Sequence, residues 1–403
     1  ISVGKKIEDK SAINIDATGK HLTSGIIDEH SHISITGGVN EGGQSNTAEV
    51  RIGDVIRNDD INMYRQLAGG VVAAQLLHGS ANAIGGQSAI IKYRWGKLPE
   101  DMKIKEAPGF IKFALGENVK QANWGENYTT RYPQSRMGVE QAFKEYFTRA
   151  KEYMVDNNGR KDLELDALVE IIQGKRFISC HSYIQSEINM LMKVAEDFRF
   201  KINTFTHILE GFKVADKMEN HGVGASTFAD WWAYKYEVID AIPYNAAILE
   251  KMGVVTAINS DDAEMGRRLN QEAAKAVKYG GVSEEAAWKM VTLNPAKLLH
   301  IDHITGSIKV GKDADLVLWS HNPLSVYASA EMTFVDGVKY FDREEDEMLR
   351  NKNEAERNRL MQLMMEEKKS GSPTQRPEII IDEHYHCDDI KNWEDEHENH
   401  DHE

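Results

Sequence analysis

The sequence predicts an α/β protein: a (β/α)8 TIM-like barrel with a small β-sandwich subdomain made from both chain ends. Three observations predict it. Eight short apolar runs alternate with helix-like stretches, the pattern of strands closed into a barrel. No glycine-rich phosphate loop follows the first run, as an open doubly wound sheet would favour. The segments beyond residue 303 have the turn-punctuated β texture of the opening residues rather than that of the barrel.

Taken in order, residues 1–24 read as strand pieces with turns and, with residues 304–341, form the subdomain; 25–303 form the barrel. The strands expected are Gly25–Asp28, Val71–Leu77, Ala89–Tyr93, Phe110–Leu115, Phe177–Cys180, Ile202–Thr206, Gly222–Thr227 and Val254–Asn259. Helical spacing appears in Ser186–Phe198 (Ile188, Leu191, Val194, Ala195), Gly211–Asn220 and Gln271–Lys278. Ser283 stands as an N-cap before a helix running to Leu299. Gly306–Trp319 and Phe334–Tyr340 read as β-like. Residues 342–403 comprise a charged helix over 342–369, a linker at Gly371–Pro377 and an acidic, His-rich tail from Asp382 expected to be disordered.

Composition narrows the function. With 403 residues and 41% apolar content the chain can bury a large core. A net charge of −16 argues against nucleic acid, which needs a basic face, although much of the acidity sits near the C-terminus. No run of eighteen apolar residues occurs, so no membrane span is expected. Cys180 and Cys387 lie far apart and argue against a structural disulfide. The chain opens at Ile1 without Met, which reads as a cut, with part of the subdomain or a whole preceding domain missing.

The chemistry-bearing residues stand where strands end. Ile26-Ile27-Asp28-Glu29-His30-Ser31-His32 runs an apolar strand into two histidines. Residues at i and i+2 share one side of a strand, so both imidazoles can reach one ion. His181, His207 and Asp261 each follow an apolar β-like run at an equivalent barrel position. One such histidine would be read as a strand cap; four with an aspartate point to a metal centre. Imidazole and carboxylate suit Zn²⁺, which acidifies water.

These residues, in this order, resemble the metal motif of the amidohydrolase superfamily. The similarity is greatest to imidazolonepropionase-like amidohydrolases and to the bacterial, often exported, amidohydrolase-related proteins. Supporting stretches are Gly116-Glu117-Asn118, Arg131-Tyr132-Pro133-Gln134-Ser135-Arg136-Met137-Gly138, His207-Ile208-Leu209-Glu210-Gly211, Asp230-Trp231-Trp232, Ile242-Pro243-Tyr244-Asn245, Thr292-Leu293-Asn294-Pro295-Ala296 and Gly306-Ser307-Ile308 with Gly311-Lys312-Asp313-Ala314-Asp315-Leu316-Val317. Together they cover about residues 15–345. The usual Pro-Gly before the first strand is Ser24-Gly25 here.

The resemblance implies one or two divalent ions, zinc by preference. It assigns His30 and His32 to the more buried ion and His181 and His207 to a second ion or to completing one site. Asp261 would ligate and carry the proton from water to the leaving nitrogen, which makes Asp261 and His207 the catalytic candidates. Asp262 beside it would be solvated or supporting. The fourth strand should supply a carboxylated lysine or a glutamate. Glu117 at the strand's end is favoured by position, with Lys112 as the alternative.

Arg131, Arg136 and Tyr183 are candidates for a substrate carboxylate. The loops His78-Gly79-Ser80-Ala81-Asn82 and Gly85-Gly86-Gln87 offer backbone near a ligand or simply turn tightly. Trp231, Trp232 and Tyr234 are expected to pack. The implied activity is hydrolysis of a C–N bond in a cyclic or linear amide or a dipeptide, so the partner is a small-molecule or dipeptide-like substrate. Alternatives are ring deamination at the same site, or a binding protein that has kept the fold. A homo-oligomer is compatible with the sequence. The resemblance alone points to export from a bacterial cell.

Overall fold

The computed structural model describes residues 4, 12–121, 131–155, 159–229, 231 and 233–375. Trp232 and the His-rich tail from Asp382 fall outside these residues.

Eight strands form one sheet in the order β2 (Ile26–Ser31), β3 (Val71–Leu76), β4 (Ile84–Lys92), β5 (Gly109–Ala114), β6 (Arg176–Ser182), β7 (Thr204–His207), β8 (Gly224–Thr227) and β9 (Thr256–Ile258). Every strand expected from the apolar runs is present. The backbone N–H of Asp261 donates to the His30 carbonyl at 3.2 Å, bringing the last strand's end to the first and nearly closing the barrel. Strands such as β2 and β3 are buried throughout, because helices cover their outer faces.

One strand departs from the expected parallel sheet. β4 runs antiparallel to both β3 and β5. The link from Leu76 to Ile84 is too short for the dozen or more residues that a parallel crossover needs, so the chain turns back as a hairpin.

The helices are α1 (Ile61–Leu67), α2 (Pro99–Met102), α3 (Arg136–Val155), α4 (Leu163–Ile172), α5 (Gln185–Phe198), α6 (Ala215–His221), α7 (Asn245–Lys251), α8 (Ala263–Gly266), α9 (Leu269–Gly280), α10 (Glu284–Lys289), α11 (Leu293–Leu298) and α12 (Arg343–Lys369). Ser283 caps α10 as expected, its Oγ accepting from the Ala286 N–H at 3.1 Å. The single helix expected from there to Leu299 is instead two, α10 and α11. One apolar cluster, including Phe113, Phe143, Phe147, Leu168 and Leu191, packs α3, α4 and α5 on the middle strands.

A separate antiparallel sheet has the order β1 (His21–Ser24), β10 (Leu316–Trp319), β11 (Ala330–Val335) and β12 (Val338–Asp342). Among the described residues it is a single layer rather than a sandwich, and it packs on the barrel through Val317, Trp319, Val335 and Phe341. Most of the segment expected as a strand from Gly306 is turn, and the strand begins only at Leu316.

Candidate metal centre

His30 and His32 project from the end of β2, His181 from β6 and His207 from the last residue of β7, while Asp261 follows β9. All five are buried. The Nε2 atoms of His30 and His32 are 3.2 Å apart, and Asp261 Oδ1 lies 3.5 Å from the first and 3.1 Å from the second. Asp261 Oδ2 is 3.6 Å from His207 Nε2. The His207 ring centroid is 4.5 Å from that of His30 and 4.9 Å from that of His181.

Donors about 2.0–2.1 Å from a tetrahedral ion stand about 3.3 Å from one another, so this spacing fits one cation among His30, His32 and Asp261. Tautomer chemistry agrees. His32 Nδ1 is 2.9 Å from the Leu77 carbonyl, which can only accept, so Nδ1 carries the hydrogen and Nε2 keeps a lone pair. His181 Nδ1 is buried with no hydrogen-bond partner among the described residues, a cost that a ligand would remove.

Electrostatics favour the ligating forms. Burial, followed by Lys112 and the neighbouring rings, holds the His30 imidazole well below its usual pKa. Burial and then His207 do the same for His181. Burial also brings His207 down to about 3, although Asp261 opposes. For Asp261 burial acts upward, but His207, His32 and Lys112 outweigh it and keep the carboxylate ionised.

The backbone at two of these residues lies in the left-handed region, with φ of 69° at His207 and 49° at Asp261. Histidine and aspartate enter this region more readily than most side chains, though less freely than glycine, so contacts that hold the backbone there matter. For Asp261 the enforcing contacts include the bond to His30 and a clamp one residue earlier. The Ser260 N–H and hydroxyl donate to Asp28 at 3.1 and 2.5 Å. Burial raises Asp28 to about 7 despite those donors. Asp262 is accounted for elsewhere: it caps α8, accepting from the Met265 N–H at 2.5 Å.

The two fourth-strand candidates sit differently. Lys112 is fully buried, with Nζ 3.1 Å from His30 Nε2. Glu117 lies by an acidic group at the mouth, its backbone N–H donating to Glu237 at 3.0 Å. Below Lys112, Glu29 is buried beside Thr206 Oγ1 at 3.3 Å, and burial lifts its carboxyl to about 8. Asp28 and Glu29 stand before the strand's end and so escape the strand-end pattern. Two acids inside an otherwise apolar strand were the signal available.

The carboxylate candidates divide. Tyr183 is at the site, its ring edge-on to His181 at 4.6 Å and its hydroxyl 2.8 Å from that of Tyr234. Phe228 stacks on His207 at 4.5 Å and Trp231 stacks on Phe228 at 4.5 Å, so Trp231 and Tyr234 do pack, as a wall beside the imidazoles. Arg136 reaches Glu187 at 3.3 Å and Glu237 at 3.4 Å. Arg131 donates to the Gln44 and Ala81 carbonyls at 2.9 and 2.6 Å, clamping loops instead of facing the centre. The glycine loops serve packing: a Cβ on Gly79 would meet Asn40 at 2.3 Å and one on Gly85 would meet His78 at 2.8 Å. Asn82 ties the same loop to the Glu41 and Gln44 carbonyls.

A nearly closed barrel that gathers strand-end histidines and an aspartate at one end offers a candidate metal site of the kind hydrolase barrels use. A model of the amidohydrolase family matches residues 239–340. The crystal structure of an amidohydrolase from Thermotoga maritima MSB8 is 32% identical, covers 85% of this chain and 92% of its own, and superposes with a TM-score of 0.79. The amidohydrolase TasK of Hapsidospora irregularis is 30% identical over 372 residues, 83% of this chain and 38% of that protein. The urease alpha subunit of Edwardsiella ictaluri (strain 93-146) is 40% identical over 108 residues, 23% of this chain and 18% of that one. The chain belongs to the amidohydrolase superfamily, whose members are generally metal-dependent hydrolases acting on C–N bonds. It spans under two fifths of the length of the TasK relative.

Proposed function

We propose that this chain hydrolyses a C–N bond of a small amide or dipeptide-like substrate at the centre formed by His30, His32, His181, His207 and Asp261. The observation that carries the reading is the 3.1–3.6 Å spacing of the His30, His32 and His207 Nε2 atoms from the Asp261 carboxylate. In this reading His30, His32 and Asp261 hold one divalent ion and His181 and His207 a second, with zinc the best match to the donors.

Lys112 would complete the ligand set as a carbamate, formed when its amine takes up CO₂ and releases a proton. An ammonium 3.1 Å from His30 Nε2 would repel a cation, whereas a carbamate is an anionic ligand. Glu117, whose backbone N–H donates to Glu237, then stands outside the ligand set.

A bound ion would supply Lewis acidity, polarising the substrate carbonyl and lowering the pKa of water. The chain's residues do the rest. Asp261, kept ionised, takes the proton from the attacking water and passes it to the leaving nitrogen. Tyr183, Phe228, Trp231 and Tyr234 wall the site and keep bulk water from the imidazoles.

The test is elemental analysis of the purified protein together with a panel of N-acyl amino acids, dipeptides and imidazolone-type rings. The expected result is about two zinc per chain and release of a carboxylate product from at least one member. Ammonia released without a new carboxylate would replace hydrolysis by ring deamination. Bound metal with no turnover of the panel would favour a binding protein. His181→Ala should lower kcat/KM by at least about a hundredfold with the circular dichroism spectrum kept; parental turnover would remove His181 from the site.

A further inference from the structure

The histidines on β6 and β7 are spaced by the sheet itself. Ser182, next to His181, is paired with His207 in the β6–β7 ladder, so regular backbone hydrogen bonding holds those two strand ends together. His30 and His32 stand at the end of β2 and Asp261 follows β9, which are the first and last strands of the sheet. Among the described residues no ladder joins that pair. Lower down, the two strands are bridged through the residues just after α10. The Ile27 N–H donates to the Val291 carbonyl and the Ile258 N–H to the Met290 carbonyl, each at 2.9 Å.

At the ligand end of this seam a side chain takes over. The Asp28 carboxylate is fully buried. It accepts from the Ser260 N–H at 3.1 Å, the Ser260 hydroxyl at 2.5 Å and the His30 N–H at 3.3 Å. One carboxylate thus grips the backbone of a ligand on β2 and the backbone one residue before the ligand beyond β9. The grip extends past Asp261, because the Asp262 N–H donates to the Ser260 hydroxyl at 3.3 Å. Without Asp28, the described residues would leave only the 3.2 Å bond from the Asp261 N–H to the His30 carbonyl at this level, a single pivot.

We propose that Asp28 is a positioning residue: by closing the β2–β9 seam it sets the distance between the His30–His32 pair and Asp261, and with it the affinity of the cation site those three form. The proposal rests on the reading of these residues as metal ligands. A cation tolerates donor displacements of only about 0.2 Å, so the seam must be held more firmly than one long backbone bond holds it. The role is geometric, an acceptor that bridges Ser260 and His30. Asparagine can fill it, because its amide oxygen can take the two N–H groups that share Asp28 Oδ1 while its amide nitrogen donates to the Ser260 hydroxyl.

The experiment measures Co²⁺ binding to the metal-stripped full chain, by competition with a chromogenic chelator and by the visible absorption of the bound ion, which reports coordination geometry. Asp28→Ala should weaken Co²⁺ binding by about 10–100-fold and alter the absorption bands. Ser260→Ala keeps the carboxylate but loses its shortest bond, and should weaken binding by about tenfold. Asp28→Asn should stay within about threefold of the parent. Lys92→Met, which strands a buried charge at the small sheet, lowers stability without touching the seam and should keep the parental affinity and bands. If Asp28→Ala does not fold, Ser260→Ala decides. Parental affinity and bands in the seam variants would overturn the proposal. A loss in Asp28→Asn as large as in Asp28→Ala would overturn it too, by making charge the cause, as would an equal loss in Lys92→Met, by making general stability the cause. A parent that binds no Co²⁺ would overturn the reading of the centre, and the proposal with it.

Discussion

At the scale of the residue, the centre turns on the difference between reach and position. Glu117 stands just beyond the end of its strand, where a ligand is expected, and its backbone N–H donates to Glu237. Lys112 starts within β5, and its four-carbon stem brings Nζ to His30. If a carboxylated Lys112 holds the two ions together, Lys112→Met should carry clearly less metal than the parent after dialysis, by elemental analysis. Glu117→Gln should retain the parental content, and protein equilibrated with ¹³C-bicarbonate should show a carbamate resonance that Lys112→Met lacks. The reverse pattern of metal loss would restore Glu117 as the ligand. The histidines and Asp261 were legible because each breaks an apolar run at its end. Lys112 was less so, since side-chain length decides its role and spacing does not report length. Arg136 misled for a related reason: its neutralising partners, Glu187 on α5 and Glu237, lie far away in sequence.

At the scale of the element, the eight barrel strands were readable as apolar runs, because β-strands buried on both faces leave little room for polar residues. The direction of β4 was not readable from its composition, which is the same for either sense. It was written in the shortness of the Leu77–Ala83 link and obscured by Gly85 and Gly86, which make the first part of the strand look like loop. The long helix α3 was also missed. It holds its core contacts through Val139, Phe143 and Phe147 amid many charges, which blurs the periodicity. Gly25, standing where β1 passes into β2, shows what geometry requires of a single position. A Cβ there would sit 2.3 Å from Val72 Cγ1 on the adjacent strand. Gly25→Ala should therefore destabilise by about 1–3 kcal/mol, since the neighbour is a packed, branched side chain. Urea unfolding gives the number, and a loss below about 0.5 kcal/mol would mean that β2 and β3 separate without strain.

At the scale of the whole molecule, the small sheet and the barrel are joined by charge as well as by apolar contact. Lys92, on the antiparallel strand, is buried with Nζ 2.7 Å from Asp313, 2.9 Å from Asp315 and 2.5 Å from Asp336. Asp336 keeps Arg94 as a second partner at 2.6 Å, and Asp313 is half in solvent. Asp315 is as buried as the lysine and otherwise relies on the Thr305 hydroxyl and the Asp336 N–H. The cation is thus needed chiefly by Asp315. Removing one partner of a buried pair strands the other charge, which costs more than the pair's net worth. Lys92→Met should lose about 3–5 kcal/mol in urea unfolding. Adding Asp315→Asn should recover part of that loss, because the amide keeps much of the hydrogen bonding without a charge to desolvate. A lost apolar contact would give no such recovery. If Lys92→Met falls within 1 kcal/mol of the parent, or the double variant is worse than the single, the sheet is held by Trp319 and its apolar neighbours alone, and the reversed strand has no electrostatic part in the junction.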